Sequence, residues 1–152
     1  MIAVVRIKGR VGVNRDIEKT LHLLRLRKKH ACVILPNSEE VIGMLNKVQH
    51  YVTWGEINEE TLVNLLKKRG RIAGNKRLTD EYLKSKIGKN IEEVAKEVLA
   101  GNLKLKDIPG VKPFFRLKPP TRGFRDLKKP FSMGGDYGYR GEHINELLKR
   151  MI

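Results

Sequence analysis

The side chains in this sequence able to do acid-base, metal or nucleophilic chemistry are few, and their placement assigns them other work. His22, His30, His50 and His143 are scattered and do not assemble with cysteines or carboxylates into a metal-ligand set. The pairs Glu39-Glu40, Glu59-Glu60 and Glu92-Glu93 fall within or just ahead of the first turns of predicted helices, where acids complement the positive end of the dipole. Cys32, the single cysteine, lies between Ala31 and Val33 in an apolar run and reads as a small buried strand residue, with no second cysteine for a disulfide. Gly9-Arg10-Val11-Gly12 lacks the third glycine of a dinucleotide loop and the Lys-Ser/Thr of a P-loop. The residues therefore predict no enzyme, no catalytic group, no metal and no cofactor.

What remains is cation chemistry directed at phosphate. Lys and Arg number 32 against 17 Asp and Glu in 152 residues, a formal charge of +15. Such self-repulsion weakens a compact state unless a polyanion neutralises it. Nucleic acid is the expected partner, ahead of an anionic membrane surface: the longest apolar runs are strand-sized, short of the ~18 residues that a span needs. Met1 leads directly into the strand pattern Ile2-Ala3-Val4-Val5, without the basic head, long apolar stretch and cleavage site of a secretory signal, so a cytoplasmic location is expected.

The candidate RNA contacts fall into groups. Lys8, Arg10 and Arg15 surround the Gly9 to Gly12 turn, which is either an ordinary strand-to-helix connection or a place where backbone approaches a nucleic acid. Arg25, Arg27, Lys28 and Lys29 form a cationic cluster at the end of the first predicted helix. Arg116, Lys118, Arg122, Arg125, Lys128 and Lys129 belong to a carboxy-terminal stretch rich in Pro and Gly. Within it, Gly134 to Gly141 interleaves glycine with Tyr137, Tyr139 and Arg140, a pattern suited to stacking on splayed RNA bases but also to a mobile linker. One of Phe114 and Phe115 is expected to fill a core. Any one basic residue is weak evidence, and the excess along the whole chain carries the inference.

These residues must be positioned by a small fold. Ile2 to Lys8, His30 to Leu35 and Tyr51 to Ile57 read as strands. Between them Ile17, Leu21 and Leu24, then Val41, Met44, Leu45 and Val48, recur at helical spacing behind Asn14 and behind Asn37 or Ser38 as caps. Residues 1–58 thus read strand, helix, strand, helix, strand, a core expected to fold alone. Residues 59–102 read as a helical extension capped at Asn58 and Thr79 and packed on that core. Residues 103–152 form a basic extension, to be ordered by what it wraps, with a terminal helix from about Glu142 to Met151.

Ile2-Ala3-Val4-Val5-Arg6, the Gly9 to Arg15 loop with its helix to Arg27, and above all GMLNKVQHYVTWGEI from Gly43 to Ile57 resemble the universal ribosomal protein family called L-thirty in bacteria and L-seven in eukaryotes. FFRLKPP and GGDYGYRGEHINELLKRM resemble its longer archaeal and eukaryotic forms, while Pro120-Thr121-Arg122-Gly123-Phe124 departs from their usual Pro-Arg-Gly-Gly and leaves the contact of Arg122 and Gly123 open. The resemblance implies an α+β core with a three-stranded antiparallel sheet and two helices on one face. Helix-containing connections alone would have favoured parallel strands. It also implies a structural, non-catalytic monomer in the large ribosomal subunit, bound to large-subunit RNA near the 5S RNA and beside other ribosomal proteins. Lys47 and His50 match the family's Asn-Lys-Val-x-His run and are added to the candidate contacts, although Asn46 could equally cap its helix. A free-standing RNA chaperone or RNA-processing factor would share the charge and is the alternative.

Overall fold

The computed structural model describes every residue, Met1–Ile152. Three short strands, β1 (Ile2–Arg6), β2 (Ala31–Leu35) and β3 (Val52–Glu56), form the middle of a sheet, with β1 central and antiparallel to both neighbours. Helices α1 (Arg15–Leu23) and α2 (Glu39–Lys47) connect them. The first connection returns the chain to the end of the sheet it left, making β2 antiparallel to β1, whereas the second carries it past β1 to the opposite end, so that β2 and β3 flank β1 and run parallel to one another. His30 donates its amide to the Arg6 carbonyl at 2.8 Å, and Ile7 donates to the Tyr51 carbonyl at 2.9 Å. The first return bends through Arg25 and His30, both in the left-handed region at φ 65° and 68°. Non-glycine residues adopt that conformation rarely, so the periodicity that favoured parallel strands carried no sign of it.

The same bend corrects one boundary. The first helix stops at Leu23, with Leu24 as its cap. Arg25, Arg27, Lys28 and Lys29 therefore lie in the loop beyond it, not on its last turn. Elsewhere the caps fall where side-chain chemistry places them: Asn14, Ser38, Asn58, Thr79 and Asn90 each accept from a first-turn amide. The glutamate pairs sit in the first turns of α2, α3 (Glu59–Arg69) and α5 (Ile91–Leu99).

Both faces of the sheet are covered. Ile2, Val4, Val33, Val52 and Trp54 pack under α1 and α2 with Leu21, Leu24, Leu45 and Val48. The opposite residues of the same strands, Ala3, Val5 and Cys32, pack with Leu62, Leu65 and Leu66 of α3 and with Leu147 and Leu148 of α6 (Ile144–Met151). Burial on both sides explains why Ile2 to Val5 is an unbroken apolar run rather than an alternating one. A small hairpin, β4 (Arg71–Ile72) with β5 (Lys76–Arg77), and helix α4 (Asp80–Ile87) follow α3.

The irregular carboxy-terminal stretch extends the sheet at both edges. β6 (Phe115–Arg116) adds antiparallel to β2, and β7 (Gly138–Tyr139) adds parallel to β3, giving the order β6-β2-β1-β3-β7. A polar seam fixes the second edge. Thr53 Oγ1 donates to the Gly138 carbonyl at 2.8 Å and accepts from Arg140 Nε at 2.7 Å, while Arg140 Nη2 reaches the Asp136 carbonyl at 2.6 Å and its carboxylate at 3.3 Å. Gly55 lies so close to Gly141 that a Cβ would strike its carbonyl oxygen. Arg140 is thus a correction to the sequence reading: it is 5% exposed and its donors are turned into the protein, not toward a ligand. Burial lowers its pKa, and the Asp136 carboxylate opposes that shift.

Two outcomes follow from this packing. Arg140→Met leaves Asp136 buried without its cation, and is expected to lower unfolding free energy by about 3 kcal/mol; chemical denaturation measures it, and an unchanged midpoint would return the segment to the status of a linker. Residues 1–58 alone would expose the face bearing Ala3, Val5 and Cys32, so this fragment, contrary to the expectation from its pattern, should show no cooperative thermal transition, whereas the full chain should melt in one.

Candidate nucleic-acid interface

The interface is built around a buried cation. Arg6 ends β1 on the face that carries Ile2 and Val4, with its side chain 0% exposed. Its guanidinium donates to the carbonyls of Lys8 (2.9 Å), Leu26 (2.8 Å) and Gly9 (3.2 Å), and to the Glu18 carboxylate at 3.3 Å. Arginine presents planar, permanently charged donors in a fixed fork, which suits one side chain to several acceptors at set angles. Those acceptors belong to the Lys8-Gly9 turn, to the loop after α1 and to α1 itself, so Arg6 fixes three segments that bear exposed basic side chains. Glu18 also meets His22, one turn on, at 3.0 Å. Burial alone would raise the Glu18 carboxyl, but the hydrogen bonds and charges of Arg6 and His22 outweigh it, leaving its pKa below the ordinary value.

Above this anchor the surface is a basic groove. Arg10 Nε donates to the Arg27 carbonyl at 3.3 Å, bringing the first turn against the loop after α1. Arg10, Arg25, Arg27, Lys28 and Arg116 line a hollow of about 570 Å³ with Ala31 and Phe114 in its wall. Through Arg10 and Arg27 it adjoins a second hollow that includes Arg15 and Lys19. Through Phe114 and Arg116 it adjoins a third, lined by Arg69, Arg71 and Lys112. β6 and the residue before it decide the aromatic pair: Phe115 is 1% exposed in the core, and Phe114, packed at the margin of the cluster under α1 and α2, lines the groove with the Arg116 guanidinium carbon 5.7 Å from its ring centre.

A separate cluster gathers Lys8, His50 and Tyr137. The His50 and Tyr137 rings meet edge-on at 4.7 Å, and Lys8 Nζ lies 5.7 Å from the ring centres of both Tyr51 and Tyr137. Lys29, Lys47, Lys118, Arg122, Lys128 and Lys129 are exposed but outside the three hollows. Arg122 and Gly123 both take left-handed conformations at φ 69°, in a turn whose Gly123 carbonyl accepts from Arg150 at 3.0 Å. Arg125 lies over Phe131, its guanidinium carbon 6.0 Å from the ring centre. Tyr139 is exposed, yet its hydroxyl donates to the Glu56 carboxylate at 2.6 Å, which raises its pKa. Lys19, Arg69, Arg71, Lys112 and Phe114 join the groove although the sequence did not mark them as contacts. Arg71 accepts from the Lys112 amide at 3.0 Å, a contact across some forty residues that no local pattern announces. The Glu18/His22 spacing was the one legible signal passed over. No three His, Cys, Asp or Glu side chains converge in a way that would hold a metal ion.

Comparison with known proteins follows the same residues. Residues 2–52 match the family model described as ribosomal protein L30p/L7e. The large ribosomal subunit protein uL30 of Methanococcus vannielii is 51% identical over 152 residues, covering 99% of this chain and 98% of the relative. The protein of the same name from Archaeoglobus fulgidus is 51% identical over 152 residues, covering 99% of each. That of Nanoarchaeum equitans is 50% identical over 154 residues, covering 100% of this chain and 99% of the relative.

Arg6→Met keeps the apolar stem and removes the charge, stranding three carbonyls, so a loss of about 3 kcal/mol in unfolding free energy is expected. A loss under about 0.5 kcal/mol in denaturant titration would contradict the anchoring role, being the scale of an ordinary surface change. Because the folded Glu18 carboxyl titrates below its ordinary value of 4.5, its contribution is complete above that pH and is lost as pH falls through the lowered folded value. The stability gap between the wild type and Glu18→Gln should therefore close on acidification, read from denaturation midpoints between neutral and acid pH.

Proposed function

The chain belongs to the ribosomal protein L30p/L7e family, and on that premise we propose that it is a structural constituent of the large ribosomal subunit that binds and stabilises folded ribosomal RNA. The observation that carries the RNA part is the groove: basic side chains from the first turn, the loop after α1, β4 and β6 converge on one hollow surface. Phosphate contacts there supply affinity, and the shape of the folded RNA supplies specificity. Lys8, His50 and Tyr137 offer a second point of contact, with Tyr51 beside them. Lys47, Lys118, Arg122, Arg125, Lys128 and Lys129 add exposed charge around these sites. The protein acts as a monomer among neighbouring ribosomal proteins, without a cofactor. A position near the 5S RNA rests on the family resemblance and is part of the same proposal. No helix is long and apolar enough to cross a membrane.

A tagged copy expressed in cells should sediment with large subunits and stay there through a moderate salt wash; recovery only in light, ribosome-free fractions would favour a free-standing RNA chaperone or processing factor. Binding to isolated large-subunit RNA should weaken with salt, each neutralised phosphate adding roughly 0.7 to 0.9 to the log-log slope. Arg10→Ala with Arg27→Ala should reduce that slope by about 1.5, two contacts' worth, and an unaltered slope would remove the groove from the interface.

A further inference from the structure

We propose that the groove takes an unpaired stretch of RNA, with one base stacked on Phe114 and the flanking phosphates on the guanidiniums to either side. This rests on the RNA-binding reading above and names the form of RNA that the groove accepts.

Three features point to a single strand. The first is the aromatic itself. Phe115 lies inside one core cluster, whereas Phe114 only packs against the margin of the other and stays half-buried in the wall shared by two adjoining hollows, against the Arg116 guanidinium. Phosphates need no aromatic, but an unstacked base does: ring and guanidinium planes are the surfaces on which splayed bases stack. The second feature is size. A hollow of about 570 Å³ is that of a small-molecule site, within the usual ~300–1,000 Å³. One base and ribose can enter it. An A-form helix cannot, and presents its phosphates on a convex cylinder that meets such a recess only at the rim. The third is the continuity of charge. Arg15 and Lys19 continue the groove on one side of Phe114, and Arg71 and Lys112 on the other. A free mononucleotide would leave both ends unneutralised, whereas a strand passing the aromatic places a phosphate at each.

The test compares a short single-stranded oligoribonucleotide with an RNA hairpin of equal phosphate count, by fluorescence anisotropy on the full-length protein. The wild type should prefer the strand. Phe114→Leu should weaken strand binding about tenfold, the size of one aromatic stack, change hairpin binding by less than about twofold, and leave the salt slope unaltered because no charge is lost. Phe114→Tyr should restore the strand affinity. A Phe114→Leu protein that is folded and binds the strand as the wild type does would overturn the inference while leaving RNA binding intact; a wild type that binds neither RNA would overturn both. Should the leucine variant not fold, the wild type still decides: irradiating its complex with a 5-iodouridine-substituted strand should crosslink at Phe114, and a crosslink confined to peptides outside the groove would refute the stacking.

Discussion

Arg6 brings a permanent charge into a place from which solvent is excluded, and the structure around it is the answer to that charge. An unpaired buried cation would cost several kcal/mol. Three backbone carbonyls and the Glu18 carboxylate compensate it. Since those acceptors lie on the first turn, on α1 and on the loop behind α1, none of these segments can move without stranding the guanidinium. The exposed Arg10, Arg25 and Arg27 are thereby held close together although their like charges repel. A loop carrying such charge would spread in water if it were free. Here its backbone is fixed before any polyanion arrives, so less ordering has to accompany binding.

The seam along β3 repeats the device. Arg140, with Thr53 and Asp136, pins a glycine-rich segment to β3, while Asn145 accepts from the Asn58 amide and donates to the Glu56 carbonyl, tying α6 to the start of α3. The long irregular stretch between α5 and α6 is in this way held at both edges of the sheet. Its ends contribute different things: Phe114 and Arg116 complete the groove beside β2, and Tyr137 joins Lys8 and His50 ahead of the start of β3.

The local features were readable because they depend on neighbours in sequence. Asn14, Asn58 and Thr79 cap helices for reasons contained in three or four residues, and Leu62, Leu65 and Leu66 face inward at helical spacing. The antiparallel pairing of β1 with both neighbours followed from the family resemblance; the parallel orientation that helix-containing connections suggest holds for β2 and β3 across β1, and fails at the first connection because left-handed Arg25 and His30 look like any other basic loop residues. Arg6 and Arg140 were unreadable for a related reason. Composition counts a cation as a potential phosphate ligand, and only the fold reveals that its acceptors lie inside. Of the groove, Arg10, Arg25, Arg27, Lys28 and Arg116 were legible as cations; that they share one hollow depends on β6 pairing with β2, some eighty residues distant in sequence.

The central claim is that large-subunit RNA lies against the groove that Arg6 holds. Cys32 is fully buried, and burial pushes its thiol well above the ordinary range, so the wild type is inert to thiol labelling and any introduced cysteine reports alone. Tethering an iron chelate to Lys28→Cys in the groove wall, and separately to Glu93→Cys on the outer face of α5, then assembling each protein into large subunits and generating hydroxyl radicals, maps the RNA nearest each point. Strong, localised strand scission from position 28 with little from position 93 is the predicted pattern. Scission from position 93 with none from position 28 would contradict the account.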